Sequence, residues 1–119
     1  MELTRYELFD LLNRPAPLAL PGVDLSSENL NNMQFYKANL ENANFSGSTL
    51  RCANFYGANL RGANMQDCDL RDANLHHVDF TGANLTGTIF SEGALDKMSI
   101  VGAVLETKPD ENPAHALAS

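Results

Sequence analysis

The chain has 119 residues, and 44% of them are hydrophobic, which suffices for one domain with a narrow core but not for a second domain. Its formal charge of −7 disfavours nonspecific binding to DNA or RNA, because such binding needs clustered lysine and arginine. No apolar run reaches the length of a membrane-spanning helix, and Glu2, Glu7 and Asp10 interrupt the N-terminus where a signal peptide needs an unbroken apolar stretch. We therefore expect a cytoplasmic protein without nucleic-acid or membrane partners.

The first predicted element is a short N-terminal helix. Thr4 and Glu7 have the spacing of a capping box, and apolar residues follow directly, so we predict a helix over residues 5–13. Pro15, Pro17 and Pro21 then favour an extended connector. We predict that residues 1–22 form a capping helix and connector that cover the open end of the next element.

From residue 25 onward, every fifth residue is large and apolar, over seventeen consecutive pentads. The position two before each of these central residues is usually Ala, and the position just before is Asn or Asp in eleven pentads. A period of five fits neither a helix nor a flat strand. Every centre can face inward only if the chain turns a corner once per pentad, and Gly recurs at the expected corner position, two after a centre. We predict stacked coils over residues 23–107, with spacing alone leaving three or four sides per coil open. The central residues are Leu25, Leu30, Phe35, Leu40, Phe45, Leu50, Phe55, Leu60, Met65, Leu70, Leu75, Phe80, Leu85, Phe90, Leu95, Ile100 and Leu105.

Four segments carry a resemblance to a known family. The strings at 38–42, 53–57, 58–62 and 83–87 match Ala-(Asp/Asn)-Leu-x-x, or the same pattern with Phe at the centre, and the array resembles the pentapeptide-repeat family over 85 of 119 residues. The resemblance implies an all-β solenoid, a right-handed quadrilateral β-helix of about four coils, here with an N-terminal capping α-helix. The pattern departs from the family at Glu28, Met33 and Met98, where the small inward residue is replaced.

No residue pattern indicates catalysis, a cofactor, a metal or a small-molecule substrate. His76 and His77 are adjacent outward residues, His115 lies in a polar segment that we predict to be a flexible tail over 108–119, and a metal site needs three or four convergent ligands. Cys68 takes an inward position and Cys52 an outward one, so we expect no disulfide. We predict a protein that is not an enzyme.

Two outward-facing sets are candidate interaction surfaces. If the coil has four sides, residues 20 apart stack at about 4.8 Å. Such ladders can simply stabilise the sheet, but Tyr and Arg are also the usual anchors of protein interfaces. We predict a contact surface for a protein partner whose identity the sequence leaves open. Its residues are a ring ladder of Tyr36, Tyr56 and His76, a neighbouring pair of Arg51 and Arg71 on a second side, and Arg61 on a third.

The C-terminal end of the array carries an apolar patch that we predict to be a homodimer interface. Ile89, Ala94, Val101 and Val104 occupy outward positions that are polar in most other pentads, and the central residues Ile100 and Leu105 of the terminal coil join them. The predicted interface residues are Ile100, Val101, Val104 and Leu105. An uncovered patch of this kind marks an interaction site, and a two-fold dimer would block open-ended stacking. The alternatives are coverage by residues 106–119 or by a different protein.

The family resemblance implies a non-enzymatic scaffold that acts as a rigid protein-interaction module. The alternative is a DNA mimic that binds DNA gyrase, as in fluoroquinolone-resistance proteins of this family. That alternative fits less well, because a rod of about 20 Å covers only about six base pairs. Three arginines also interrupt its acidic sides, namely Arg51, Arg61 and Arg71.

Overall fold

The protein is built from stacked coils of 20 residues. A computed structural model describes Glu7, Asp10, residues 18–92, Ala94 and residues 101–104. Within these residues, pairing takes the form of single-residue parallel bridges, and every bridge joins residues 20 apart, from Ala19 with Asn39 to Asn84 with Val104. Four pentads therefore complete one coil, which decides between the three-sided and four-sided alternatives in favour of four sides.

The four sides are numbered in chain order. Each side stacks one pentad from each successive coil, and backbone N–H groups donate to carbonyls 19 residues further on, at 2.7–3.1 Å. Side 1 comprises 18–22, 38–42, 58–62 and 78–82; side 2 comprises 23–27, 43–47, 63–67 and 83–87; side 3 comprises 28–32, 48–52, 68–72 and 88–92; and side 4 comprises 33–37, 53–57 and 73–77.

Each corner is a tight turn that starts at a central residue. The carbonyl of Leu40, for example, accepts a hydrogen bond from the N–H of Ala43 at 3.0 Å. The second residue after the centre has a positive φ, such as 60° at Asn42, at every corner from Gly22 to Gly87. A positive φ at this position alone is the pattern of a type II turn. The corner position predicted from the glycines is thus confirmed, and it holds where the residue is not Gly.

The Asn or Asp before each centre stabilises the turn. All eleven of these side chains accept a hydrogen bond from the N–H two residues further on, as Asn44 does from Ser46 at 3.0 Å. Gln34 and Thr49 interrupt the series, and at Thr49 the N–H of Arg51 donates instead to Asn31 Oδ1 in the preceding coil, at 2.9 Å. Local hydrogen bonds of this kind are the usual role of Asn and Asp side chains at turns. The eleven are Asp24, Asn29, Asn39, Asn44, Asn54, Asn59, Asn64, Asp69, Asn74, Asp79 and Asn84.

The core is a continuous column of the central residues. Every centre from Leu20 to Phe90 is at most 5% exposed, as the inward assignment predicted. Phe35 and Phe55 stack at 4.9 Å between ring centroids, and Phe45 packs edge-on against both, at 5.6 and 5.9 Å. Such geometry adds to the free energy gained from burial.

The small inward positions of side 3 hold a column of polar side chains. Ser48 Oγ donates to the carbonyl of Leu25 at 2.6 Å, and Cys68 and Thr88 make the equivalent contacts one and two coils later. Ser48 Oγ also accepts a hydrogen bond from the N–H of Glu28, at 2.9 Å. Glu28, one coil earlier, is one of the residues that replace the small inward residue of the repeat pattern. These buried groups are therefore satisfied by hydrogen bonds.

The coiled backbone begins one pentad earlier than the predicted boundary at residue 23. Ala19 already pairs with Asn39, and Leu20 is a buried centre. Glu7 and Asp10 are helical, while the rest of the predicted helix over 5–13, the centres Leu95, Ile100 and Leu105, and the tail over 108–119 lie outside the described residues. In the part of the chain that the structure describes, no helix is both long enough and apolar enough to span a membrane.

Candidate interaction surface

Side 4 displays a ladder of aromatic rings across three coils. Tyr36 and Tyr56 stack with centroids 5.6 Å apart and ring planes at 15°. Tyr56 contacts the imidazole of His77 edge-on at 5.3 Å, and Lys37 Nζ lies 5.3 Å from the centroid of the Tyr36 ring. Tyr36 is 48% exposed, whereas Tyr56 is partly buried.

The third ring of this ladder is His77, so the predicted place of His76 in it is wrong. His76 is exposed, and its backbone carbonyl accepts a hydrogen bond from the N–H of Gly57 at 3.0 Å. His77 lies at the corner with a φ of 61°, directly after Gly57 in the same corner column. A side chain at Gly57 would meet Lys37, whose Cγ lies 3.1 Å from the position of an added Cβ. Both histidines are outward residues of the same pentad, so the sequence carries no signal for which of them contacts Tyr56.

An amide ladder runs beside the rings. Asn54 Nδ2 donates to Gln34 Oε1 at 3.1 Å, and Asn54 Oδ1 accepts from the N–H of Tyr56 at 3.0 Å. Asn54, two residues before Tyr56, therefore makes hydrogen bonds both within its own turn and to the neighbouring coil. Side 4 thus presents rings and amides whose positions are set by the backbone ladder beneath them.

Side 4 also differs from the other sides in charge. Its described residues include Lys37, His76 and His77 but no carboxylate, whereas each of the other three sides carries at least two. The carboxylates are Glu41 and Asp79 on side 1, Asp24 and Asp67 on side 2, and Glu28, Asp69, Asp72 and Glu92 on side 3.

The three arginines occupy the predicted sides, but the structure does not bring them together with the tyrosines. Arg51 and Arg71 are neighbours on side 3, and Arg61 lies on side 1. Each is within ion-pair distance of an aspartate: Arg51 with Asp72 at 3.5 Å, Arg61 with Asp79 at 3.1 Å, and Arg71 with Asp69 at 2.6 Å.

Two of these arginines lower the pKa of the aspartate that they contact. Arg71 donates through Nε and Nη2 to both oxygens of Asp69, and these hydrogen bonds hold the pKa of Asp69 below its ordinary value. The pKa of Asp79 is lowered first by the hydroxyl of Thr81 and then by Arg61. The guanidinium groups therefore already have anionic partners, unlike the ammonium group of Lys37, which lies against a ring.

The described residues offer little for catalysis. They include no group of three or more His, Cys, Asp or Glu side chains arranged to hold a metal ion. Cys68 is buried, and that burial raises the pKa of its thiol to about 12, so the thiolate nucleophile does not form near neutral pH. Cys52 is exposed at a corner of side 3, so the two thiols face in different directions, as predicted.

Two residues of the predicted dimer patch lie in the described part of the chain. Val101 is 72% exposed and Val104 is 46% exposed, and both face outward. Their carbonyls accept from Gly82 at 3.0 Å and from Leu85 at 2.7 Å, which places them on sides 1 and 2 of the coil after residues 81–85. Ile100 and Leu105 lie outside the described residues.

Comparison with known proteins gives a consistent result. A family model described as pentapeptide repeats matches residues 20–51 and 53–92 with eight copies. Among solved structures, the chain is similar to HetL from the cyanobacterium Nostoc sp. strain PCC 7120, a pentapeptide repeat protein involved in heterocyst differentiation regulation. The identity is 26%, the TM-score is 0.68, and the match covers 82% of this chain and 48% of HetL. The chain thus spans about half the length of HetL. No curated protein matches the chain.

Further solved structures share the repeat at lower structural similarity. A pentapeptide repeat protein of the Arabidopsis thaliana thylakoid lumen is 31% identical, with a TM-score of 0.46 and coverage of 74% of this chain and 61% of that protein. QnrB1, a plasmid-mediated fluoroquinolone resistance protein, is 16% identical, with a TM-score of 0.40 and coverage of 76% and 60%. Pentapeptide repeat proteins such as HetL form a right-handed quadrilateral β-helix, so the similarity to HetL confirms the predicted fold class at that level.

Proposed function

Because the chain belongs to the pentapeptide-repeat family, we propose that it is a non-enzymatic scaffold that acts as a rigid protein-interaction module. The observation that carries this proposal is the aromatic ladder of side 4. The ring of Tyr56 contacts those of Tyr36 and His77 on a surface that is open to solvent. Tyrosine supplies a large, amphipathic contact area, which is why it is frequent among the anchors of protein interfaces.

Rigidity supports the proposal. Each tyrosine directly follows one of the stacked core residues Phe35 and Phe55, and the turns on both sides are held by hydrogen bonds. A surface that is already ordered loses little conformational entropy when a partner binds.

The experiment is affinity capture from the native host with purified bait. Wild type is compared with a double variant, Tyr36→Ala with Tyr56→Ala, and with Gln66→Ala on side 2 as a matched control that changes an exposed side chain elsewhere. We expect one or more specific proteins to be retained by wild type and by the control but lost from the double variant. Identical captured sets from all three baits would show that side 4 is not the interaction surface.

We also propose that the C-terminal patch mediates homodimerisation. Val101 and Val104 expose apolar side chains at the end of the described coils, and an isologous contact between two such ends would close the assembly. Sedimentation of wild type against Val101→Asp with Val104→Asp tests this. We expect a dimer that the two substitutions convert to a monomer. A monomeric wild type ends the proposal, and a dimer unaffected by the substitutions places the interface elsewhere.

At the opposite end, we propose that residues 1–14 protect the first coil. Leu20 and the backbone of residues 18–22 would otherwise lie at an open edge, and open edges promote aggregation. Size-exclusion chromatography of a chain lacking residues 1–14 is the test, and we expect aggregation. A truncated chain as soluble and as stable as the full chain would assign the segment another role.

The observed charges weigh against DNA mimicry. A mimic of DNA needs a dense array of negative charge, whereas Arg51, Arg61 and Arg71 each pair with an aspartate on two of the four sides. Inhibition of DNA gyrase supercoiling by micromolar protein would restore that alternative.

A further inference from the structure

We propose that side 4 binds an extended, acidic protein segment that crosses the coils along the aromatic ladder. This inference rests on the proposed interaction function and adds the chemistry of the partner. Its basis is the coincidence of two independent features on one side, a preformed ring ladder and the absence of carboxylates among its described residues.

The charge distribution selects the sign of the partner. The chain as a whole carries −7, and sides 1, 2 and 3 each hold at least two carboxylates. An acidic segment is therefore repelled by those three sides, whereas side 4 offers it the ammonium group of Lys37 and two imidazole rings that can donate hydrogen bonds. Electrostatic complementarity of this kind selects partners and directs their approach.

The surroundings of the Lys37 ammonium group also favour an acidic partner. The arginines on sides 1 and 3 are already neutralised by aspartates, at 2.6–3.5 Å. Lys37 instead has its ammonium group 5.3 Å from the Tyr36 ring centroid, where it can accept an anionic partner while the ring contact is kept.

The dimensions of the ladder define the motif. Lys37 and His77 belong to the same corner column two coils apart, which corresponds to about 10 Å at about 4.8 Å per coil. An extended peptide advances about 3.3 Å per residue, so two acidic side chains three positions apart would reach both ends. An aromatic residue between them would lie over Tyr36 and Tyr56. The expected motif is an acidic residue, then two residues of which one is aromatic, and then a second acidic residue.

A protein segment is favoured over a nucleic acid. A polyanionic backbone would pass beyond the width of side 4 and meet the carboxylates of the adjoining sides. Nucleic-acid binding also depends on many basic contacts, and side 4 offers a single lysine among its described residues.

The test is fluorescence anisotropy of the full chain with a labelled ten-residue peptide that carries two glutamates three positions apart and a phenylalanine between them. A peptide with both glutamates replaced by lysine and a labelled single-stranded oligonucleotide are the comparison probes. We expect binding of the glutamate peptide that weakens as salt is added. The lysine peptide and the oligonucleotide should bind at least about tenfold more weakly.

Variants then locate the site. Lys37→Gln on side 4 and Gln66→Glu on side 2 change the net charge by the same amount, so they separate a local effect from an overall one. We expect Lys37→Gln to weaken binding about two- to fivefold, Tyr36→Ala to weaken it about fivefold or more, and Gln66→Glu to leave it unchanged. Thermal melts of all three establish that they are folded.

Several outcomes overturn the inference. Equal weakening by Lys37→Gln and Gln66→Glu would reveal a net-charge effect without a site. Equal affinity for the lysine peptide would exclude acidic recognition, and equal affinity for the oligonucleotide would assign the surface to polyanions in general. A further outcome is that no peptide binds, although affinity capture shows a partner that is lost when the tyrosines are substituted. In that case the proposal of an acidic partner is rejected, while the proposed interaction function is retained.

Discussion

Substituting Phe55 with Ala is expected to be among the most destabilising single changes in the coil. Phe55 is fully buried, stacks on Phe35 at 4.9 Å and contacts Phe45 edge-on at 5.9 Å. Removing a buried Phe costs about 3–5 kcal/mol, from lost burial and the cavity left behind. We expect the upper half of that range, since two ring contacts are lost as well.

Thermal melts followed by circular dichroism measure the effect. For a domain of this size, each kcal/mol lowers Tm by about 4 °C, so the variant should melt roughly 16–20 °C below wild type. A loss confined to a few degrees would show that neighbouring coils collapse into the cavity, contrary to the close packing of the ring column.

The control is Tyr56→Ala, one residue later and facing outward. It also removes an aromatic ring and a ring contact, with Tyr36, but the side chain is only partly buried. We expect a loss of about 1 kcal/mol. Equal losses for the two variants would refute the inward and outward assignment on which the fold rests.

Three further predictions concern the corners, acid stability and thiol reactivity. Gly62→Ala and Gly82→Ala should each destabilise the protein by about 1–2 kcal/mol, because an L side chain strains the positive φ at both corners, and the exposed Asn42 side chain that the Cβ at position 62 meets can rotate away. Denaturant titration compares them, and a loss at either position of only a few tenths of a kcal/mol would refute the strain. The pKa of Asp69 in the folded protein lies below the ordinary value of 3.8. The ionised Asp69 therefore contributes its full stabilisation above about pH 4, and this stabilisation is lost as the pH falls towards the folded-state pKa. The Tm of Asp69→Asn should decline less in acid than that of wild type, and an equal decline would refute this. In the folded protein, iodoacetamide should label Cys52 and spare Cys68 until urea unfolds the chain, as mass spectrometry can check; rapid labelling of Cys68 would contradict its burial.

The sequence alone determined the direction of nearly every side chain in the coils. A strict period of five requires one corner per pentad, so the inward centres, the small residue two before each centre and the corner two after it follow from local geometry. The hydrogen bonds made by residues such as Asn44 and Asp79 are local as well, since donor and acceptor are two residues apart. These features can be predicted from the sequence because the direction of each side chain and its local hydrogen bonds depend only on residues of the same or the next pentad.

Contacts between coils were decided by the tertiary structure. The number of sides depends on how far the backbone turns at each corner, and the period of five does not encode that angle. The place of His77, rather than His76, in the ring ladder depends on the corner conformation of His77, with a φ of 61°, and on its contact with Tyr56 one coil away. The pairing of Arg51 with Asp72, 21 residues further along the chain, likewise requires the coil length. Sequence periodicity specifies which way a side chain faces, but its neighbours one coil away are specified only when the coil closes.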